Sequence, residues 1–334
     1  MNRMKLIDNF NRIHDYVRIS LIDKCNLNCI YCNPVNSNKH FHHNSELMTA
    51  EEIIRLSNIL VKNLGVKKIR FTGGEPLIRK DILHILKNIS GLKKDFPLTL
   101  GITTNGTELN DKLELLKENG IDNLNISLDS LRAQRFVAIT GKNYFEKTLQ
   151  SIHRAESLHF NKVKVNAVIM KSVNNDELID FVKYFKDANI ELRFIEYMPF
   201  GSNAWQKDGF VSAEKMKNKI QTAFKLVKLE DDNRIADNYA VAGHKCKVGF
   251  ISSISNHFCD SCNRLRITAT GKIKLCLFSS EEQTSLKYYL VNRNISDEEI
   301  AERVSQSLQF KQAKHPEVEE LVKLHHNNML NIGG

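Results

Sequence analysis

The sequence predicts an α/β fold, an incomplete (β/α)6 TIM-like barrel followed by a smaller C-terminal α+β domain. From Tyr16 to about Pro199, strand-like and helix-like stretches alternate six times, which implies a parallel sheet with right-handed crossovers. After Gly201 the alternation gives way to a helix, strand-like pieces and a hairpin. The length, 334 residues, exceeds one ordinary small domain and suits a barrel with an appendage. The boundary is placed between residues 1–200 and 201–334. A flat doubly wound sheet would show the same alternation. In both architectures ligands gather at the carboxyl ends of the strands.

The elements follow in order. Tyr16–Ile22 reads as a strand running into a cysteine-rich loop. Thr49 and Glu52 form a capping-box pattern opening a helix toward Leu64. Lys68–Thr72 is the second strand, followed by a helix around Lys80–Ile89. Leu98–Thr104 is the third strand, with a helix from about Asn110 to Asn119. Leu124–Leu128 is the fourth, and a helix near Tyr144–Leu158 leads to the fifth, Val163–Ile169. Asn174 and Glu177 read as a cap for a helix toward Ala188, before the sixth strand, Glu191–Glu196. Beyond it lie a helix over about Ser212–Phe224 and a hairpin, Arg264–Thr270 and Ile273–Cys276, turning at Gly271-Lys272. Two helices end the chain, one starting near Ser296 with Glu299 as its capping partner.

Hydrophobic residues make up 42% and charged residues 26%, enough for a globular core without staples. No apolar run approaches the roughly 18 residues of a membrane helix, and no signal-like apolar segment opens the chain. A cytoplasmic protein without membrane association is expected. The net charge is +9, but no dense basic block interleaved with aromatics points to nucleic acid. Six of the seven cysteines fall into two spaced groups, which in a cytosolic chain favours metal or redox work over disulfides. Cys246 stands apart as a plain structural thiol.

The first group is Cys25, Cys29 and Cys32, at C-x-x-x-C-x-x-C spacing with Tyr31 inside it and Pro34 after it. A cubane iron–sulfur cluster normally takes four Cys ligands, so three leave one iron open. An open position is where metal chemistry occurs. A zinc site completed by His40, His42 or His43 is the alternative. The spacing resembles the radical S-adenosylmethionine (SAM) superfamily, whose open iron holds SAM. Thr72-Gly73-Gly74-Glu75-Pro76 ends the second strand. Its glycines permit close backbone approach, and Glu75 can accept from an amine. It resembles the superfamily motif for the SAM amino group. Thr103-Thr104-Asn105-Gly106 and Ser127-Leu128-Asp129-Ser130 end the next two strands. Each alone could be turn chemistry, but their recurrence favours a lined cavity. Arg18, Arg70, Lys164 and Arg193 lie within apolar strands. Buried cations need anionic partners; these are salt bridges or, taken together, a polyphosphate site.

Cys259, Cys262 and Cys276 form the second group, a C-x-x-C pair and a cysteine across the predicted hairpin. His257 could complete a zinc knuckle; otherwise this is a second cluster with an open iron. Arg264 and Arg266 then share a strand face beside it, suiting an anionic ligand.

Both triplets, the Arg264-Leu265-Arg266 segment, the strand-end motifs and the terminal Gly333-Gly334 together resemble the GTP 3′,8-cyclase family, from about Arg18 to the last residue. The resemblance implies two 4Fe–4S clusters, on Cys25, Cys29 and Cys32 and on Cys259, Cys262 and Cys276. It implies SAM contacts from Tyr31, Gly74, Ser127 and Met198. It implies GTP contacts from Arg18, Arg70, Thr103, Lys164, Arg264, Leu265 and Arg266. Arg264, Arg266, Gly333 and Gly334 are the implied catalytic set, the glycine tail inserting into the site. The implied reaction is the first step of molybdenum cofactor biosynthesis, with a low-potential electron donor, the next pathway enzyme and a second copy of the chain as partners. Asn33 departs from the Met the family usually has there, and the following loop with His42 and His43 is unusual. A radical SAM enzyme for a peptide or another nucleotide, and a zinc-stabilised binding module, are the competing readings.

Overall fold

The computed structural model describes residues 4–33, 41–200, 203, 205–230, 235–279, 285–323 and 329–332. Six parallel strands form its centre: β1 (Tyr16–Ser20), β2 (Lys68–Thr72), β3 (Thr99–Thr104), β4 (Asn123–Ser127), β5 (Lys162–Ile169) and β6 (Glu191–Glu196). Helices α1 (Ala50–Lys62), α2 (Ile82–Ser90), α3 (Leu113–Glu118), α4 (Ala133–Thr140), α5 (Phe145–Ser157) and α6 (Leu178–Tyr184) lie between them in sequence. The capping box of α1 forms as expected: the Glu52 N–H donates to Thr49 Oγ1 at 3.3 Å, and the Thr49 N–H donates to Glu52 Oε2 at 2.9 Å.

Two local expectations change. Helix α4 has no counterpart in the sequence reading; its end is marked by Gly141 at φ +72, whose N–H bonds to Val137 O. Glu177 holds the N-cap position of α6, but neither its side chain nor that of Asn174 makes a capping bond. Asn174 donates to Asp129 O and Val168 O, and Glu177 accepts from Ser130 and the Leu131 N–H. Tertiary partners have taken both side chains, and α6 starts later, at Leu178.

The C-terminal segment is not set apart from the barrel. It adds β7 (Leu226–Lys228), β8 (Asp237–Val241), β9 (Lys247–Ile251), β10 (Arg264–Ile267) and β11 (Ile273–Lys274), with α7 (Ala213–Gln221), α8 (Lys287–Val291), α9 (Asp297–Ser307), α10 (Val318–Lys323) and α11 (Met329–Ile332). The sheet order is β11-β10-β1-β2-β3-β4-β5-β6-β9-β8-β7. Both sheet edges are therefore extended by C-terminal strands. β10 pairs in parallel with β1, and β9 in parallel with β6. The hairpin of β10 and β11 has shorter strands than expected and turns through Thr268–Gly271.

Strand composition decides which face looks where. Val17, Ile19, Ile69, Phe71, Leu124, Ile126, Leu192 and Phe194 belong to the main apolar core. Their neighbours one residue away, Arg18, Arg70, Asn125 and Arg193, line cavities. Alternation with period two puts these sets on opposite faces. A parallel sheet covered on both sides is usually apolar throughout; here the inward face is polar and lines cavities. β6 and the far strand β10 contribute to the same cavity, so the sheet curls. Gly101 sits beside Arg70 in register, and an added Cβ there would fall 2.9 Å from the Arg70 guanidinium.

The same alternation turns the side chain of one expected site residue away from the lumen. Leu265 lies between Arg264 and Arg266 and its side chain is fully buried in the apolar core, facing away from the lumen. Leu265→Ala is expected to destabilise the cluster-free chain by about 2–5 kcal/mol through cavity formation. Denaturant unfolding checks this, and a loss below about 1 kcal/mol would contradict the packing role.

Candidate active site

A cavity of about 290 Å³ opens at the carboxyl ends of the strands. Cys25, Cys29, Cys32, Cys259, Cys262 and Cys276 all line it. So do Arg18, Tyr31, Gly74, Thr103, Ser127, Met198, Arg264 and Arg266. Arg70 and Lys164 instead line a second, more open cavity of about 830 Å³ toward the strand starts. Tyr16, Asn125 and Arg193 belong to both, so the two spaces meet along the lumen. Gly333 and Gly334 lie outside the described residues, as do Pro34 and His40.

Backbone bonds shape the first cysteine loop. Gly74 and Glu75 donate to Ile22 O and Lys24 O at 2.7 and 2.9 Å, and Asn28 and Ile30 donate to Thr140 O and Ile139 O, both at 2.9 Å. A Cβ on Gly74 would lie 2.2 Å from Lys24 O, so only glycine fits. Asn33 is buried and closes the turn with its N–H on Cys29 O at 2.8 Å. Tyr31 donates to Asp129 at 2.8 Å, and its carbonyl accepts from Asn203 at 2.9 Å. His42 bonds to Asp23 and His43 to Ser45 and Glu46, so neither joins the triplet.

Glu75 does not present a free carboxylate to an amine. It is fully buried and accepts from Leu77 N–H, Thr104 Oγ1 and Asn105 N–H at 3.0, 2.8 and 2.7 Å. It braces the end of β2 against the end of β3. Glu196 is its counterpart at the end of β6. It accepts from the N–H groups of Ala213, Ile254 and Ser255 and from the Ser255 hydroxyl, fixing the approach to the second triplet. Sequence reading placed Asp129 in a strand-end motif lining a cavity but gave Glu196 and Asn203 no role. Glu196 closes β6 and Asn203 lies in the segment after it, and neither carries a local motif.

The triplets differ mainly at Cys262, since burial raises Cys259 of the second as it raises the thiols of the first. Burial, with Glu75, pushes the Cys25 thiol up to about 11, and burial, with Cys25 and Asp129, pushes Cys32 up to about 12. Cys29 is raised well above the ordinary value by burial, Asp129 and its two partners. At the second triplet, burial would raise Cys262, but Arg264 and Lys311 hold it below the ordinary thiol value. Further down the lumen, burial would raise the Tyr16 phenol, yet Arg70, Arg18, Lys68 and Arg264 pull it down to about 7. This end of the site is strongly positive and short of anions. Lys164 and Arg193 share one carboxylate, Glu191, at 2.9 and 2.5 Å.

These features match what the chain is similar to. The radical SAM superfamily model matches residues 19–185, and the Molybdenum Cofactor Synthesis C model matches residues 190–317. A GTP 3′,8-cyclase of Thermodesulfovibrio yellowstonii is 39% identical over 308 residues, covering 91% of this chain and 94% of that protein. The chain belongs to the GTP 3′,8-cyclase family of radical SAM proteins. The mitochondrial GTP 3′,8-cyclase of Arabidopsis thaliana is 41% identical, covering 98% of this chain and 83% of that protein. Molybdenum cofactor biosynthesis protein 1 of Dictyostelium discoideum is 43% identical, and this chain spans about half its length, 52%. In fold, the chain resembles Streptococcus suis SuiB bound to S-adenosylmethionine, with a TM-score of 0.62 at 15% identity over 86% of this chain and 68% of that one.

Members of this family use SAM and iron–sulfur clusters, and the residues present fit both. Three half-buried thiols face one cavity, and Cys29 and Cys32 are raised further by their cysteine neighbours, an arrangement that a cationic metal core would relieve. His257, the zinc-knuckle candidate, lines the cavity with the second triplet and its buried Nδ1 has no hydrogen-bond partner among the described residues. Arg18 Nε, Thr103 Oγ1, Asn125 Oδ1 and Asn166 Oδ1 are buried, line the cavity and lack a hydrogen-bond partner among the described residues. Buried polar atoms of this kind mark a polar ligand's place. Gly74→Ala is expected to displace the first cysteine loop and remove about half of the iron taken up on anaerobic reconstitution. Full iron content in that variant would contradict it.

Proposed function

We propose that the chain is a GTP 3′,8-cyclase, joining the ribose C3′ of GTP to C8 of its guanine to give 3′,8-cyclo-7,8-dihydroguanosine triphosphate. The observation that carries this reading is the convergence of both cysteine triplets on one cavity, which shares Tyr16, Asn125 and Arg193 with a cation-lined space beside it. Cys25, Cys29 and Cys32 would hold a 4Fe–4S cluster, which with SAM would supply the radical chemistry needed at C3′.

The chain's own residues bind, orient and exclude water. Tyr31, Gly74, Ser127 and Met198 stand on the cavity wall with the first triplet, which supports their assignment to SAM. Cys259, Cys262 and Cys276 are assigned to a second 4Fe–4S cluster, whose open iron would receive the guanine. Arg264 and Arg266 orient the base and its developing charge. Arg18 and Thr103 follow along the lumen, and Arg70, Lys164, Arg193 and Lys68 hold the triphosphate at its far end, where their charges otherwise share Glu191. The sequence reading had not assigned Lys68. Helix α11 supports a closing role for the tail: Ile332 packs with Phe200, Phe278 and Leu321, and Met329 lines the cavity just before Gly333 and Gly334. Such closure would shield a radical from water.

A low-potential electron donor, the enzyme that takes up the cyclised nucleotide and a second copy of the chain are the proposed partners. No helix among the described residues is long and apolar enough to cross a membrane. All seven cysteines are free, which supports the cytoplasm as the compartment.

Anaerobically reconstituted protein given SAM, GTP and a strong reductant is expected to release the cyclised nucleotide with 5′-deoxyadenosine. SAM cleavage without a cyclised nucleotide would overturn the substrate assignment in favour of a peptide or another nucleotide. Arg266→Ala is expected to lower GTP turnover more than SAM binding; equal loss of both would count against its role. The lumen also sets a pH dependence. Burial, and then Arg193, lower Lys164 to about 7 against the pull of Glu191. Its charge is therefore present below about 7 and lost above it. KM for GTP is expected to rise from about pH 7 to about pH 9 as this cation is lost. Lys164→Arg stays charged and should flatten the rise. A rise that persists in that variant would assign it to another group.

A further inference from the structure

Lys311 is a buried cation that neither cavity uses. It is 5% exposed and lines neither the triplet cavity nor the lumen. Its Nζ donates to Leu275 O, just before Cys276, and to Arg264 O at 3.3 Å, two residues past Cys262. No described carboxylate pairs with it; its bonds are to these carbonyls alone. The other cations near it are already occupied. Arg12 is neutralised by Asp8 at 2.6 Å and grips the carbonyls of Cys259, Gln312 and Ala313 at 2.7–2.8 Å. Arg264 lies over the Phe258 ring and faces the cavity. A buried ammonium with no anion is costly; burial lowers its pKa, and the thiolate forms of Cys262 and Cys276 pull it back up.

We propose that Lys311 is the fixed counter-charge of an iron–sulfur cluster on Cys259, Cys262 and Cys276, holding it from behind the hairpin and setting its reduction potential. This rests on the second-cluster assignment above. Three thiolates on a 4Fe–4S core leave a net negative charge that grows on reduction. A nearby cation offsets the burial of that charge and favours the reduced state, because net charge and surroundings set cluster potentials. Lys311 is thus a positioning residue for the cluster, set apart from the arginines that face the substrate side.

The test uses the full chain with Cys25→Ala, Cys29→Ala and Cys32→Ala, so that only the second triplet can hold a cluster. Iron and sulfide per chain, and the midpoint potential from EPR-monitored titration, are compared among this parent, Lys311→Gln and Lys311→Arg. Gln keeps an N–H donor for the carbonyls but removes the charge; Arg keeps the charge. The parent is expected to hold about four irons and the Arg variant to match it. The Gln variant should hold fewer irons, or hold them at a more negative potential. Unchanged iron and potential in the Gln variant would overturn the proposal, as would equal damage in the Arg variant. A parent that holds no iron would instead overturn the second-cluster assignment, whatever residue 311 is.

Discussion

Strand β10 hydrogen-bonds in parallel to β1, with Arg266 beside Arg18, and this register decides where the second cysteine triplet stands. Cys259 and Cys262 come just before β10 and Cys276 just after β11. Docking the hairpin on β1 therefore lays the second triplet against the strand that feeds the first. Two metal-binding loops remote in sequence become two walls of one cavity. A one-residue slip would turn Arg264 and Arg266 into the apolar core and Leu265 into the lumen. The buried Leu265 and the register of Val17 with it thus protect the chemistry.

The lumen is built against the usual logic of a parallel barrel. Its interior is not filled with branched apolar side chains but lined by Arg, Lys and Asn that alternate with the outer core. Cations packed this way repel one another, and the Tyr16 phenol and Glu191 are the main local relief. The fold supplies the stability for this arrangement elsewhere, in the apolar layer between sheet and helices. Electrostatic strain is stored where an anionic substrate would release it.

Buried carboxylates serve as braces. Glu75 and Glu196 near strand ends, and Glu177 at the start of α6, are each fully buried and each accepts at least one backbone N–H from a neighbouring loop. A carboxylate that satisfies several N–H donors fixes loop positions more firmly than a mobile side chain on the surface could. These braces hold the cysteine loops and the segment before Cys259 at defined places around the cavity.

By itself the sequence determined the six βα units, both cysteine triplets and the glycine that lets the first loop close on β2. These are local: strand periodicity, loop spacing and the space at Gly74 all act within a few residues. The alternation Lys-Ile-Arg, Asn-Leu-Asn and Arg-Leu-Arg was also present in the sequence and foretold a polar inner face. Tertiary structure alone decided that Glu75 braces rather than receives an amine, because Thr104 and Asn105 reach it from another strand. It alone turned the Asn174 and Glu177 side chains from the start of α6 to distant partners, leaving Glu177 at the N-cap without a side-chain capping bond. It alone joined the C-terminal strands to both edges of the barrel sheet and placed Lys311 behind Cys276. Such contacts depend on which strand edges remain open for pairing, and sequence spacing carries no record of that.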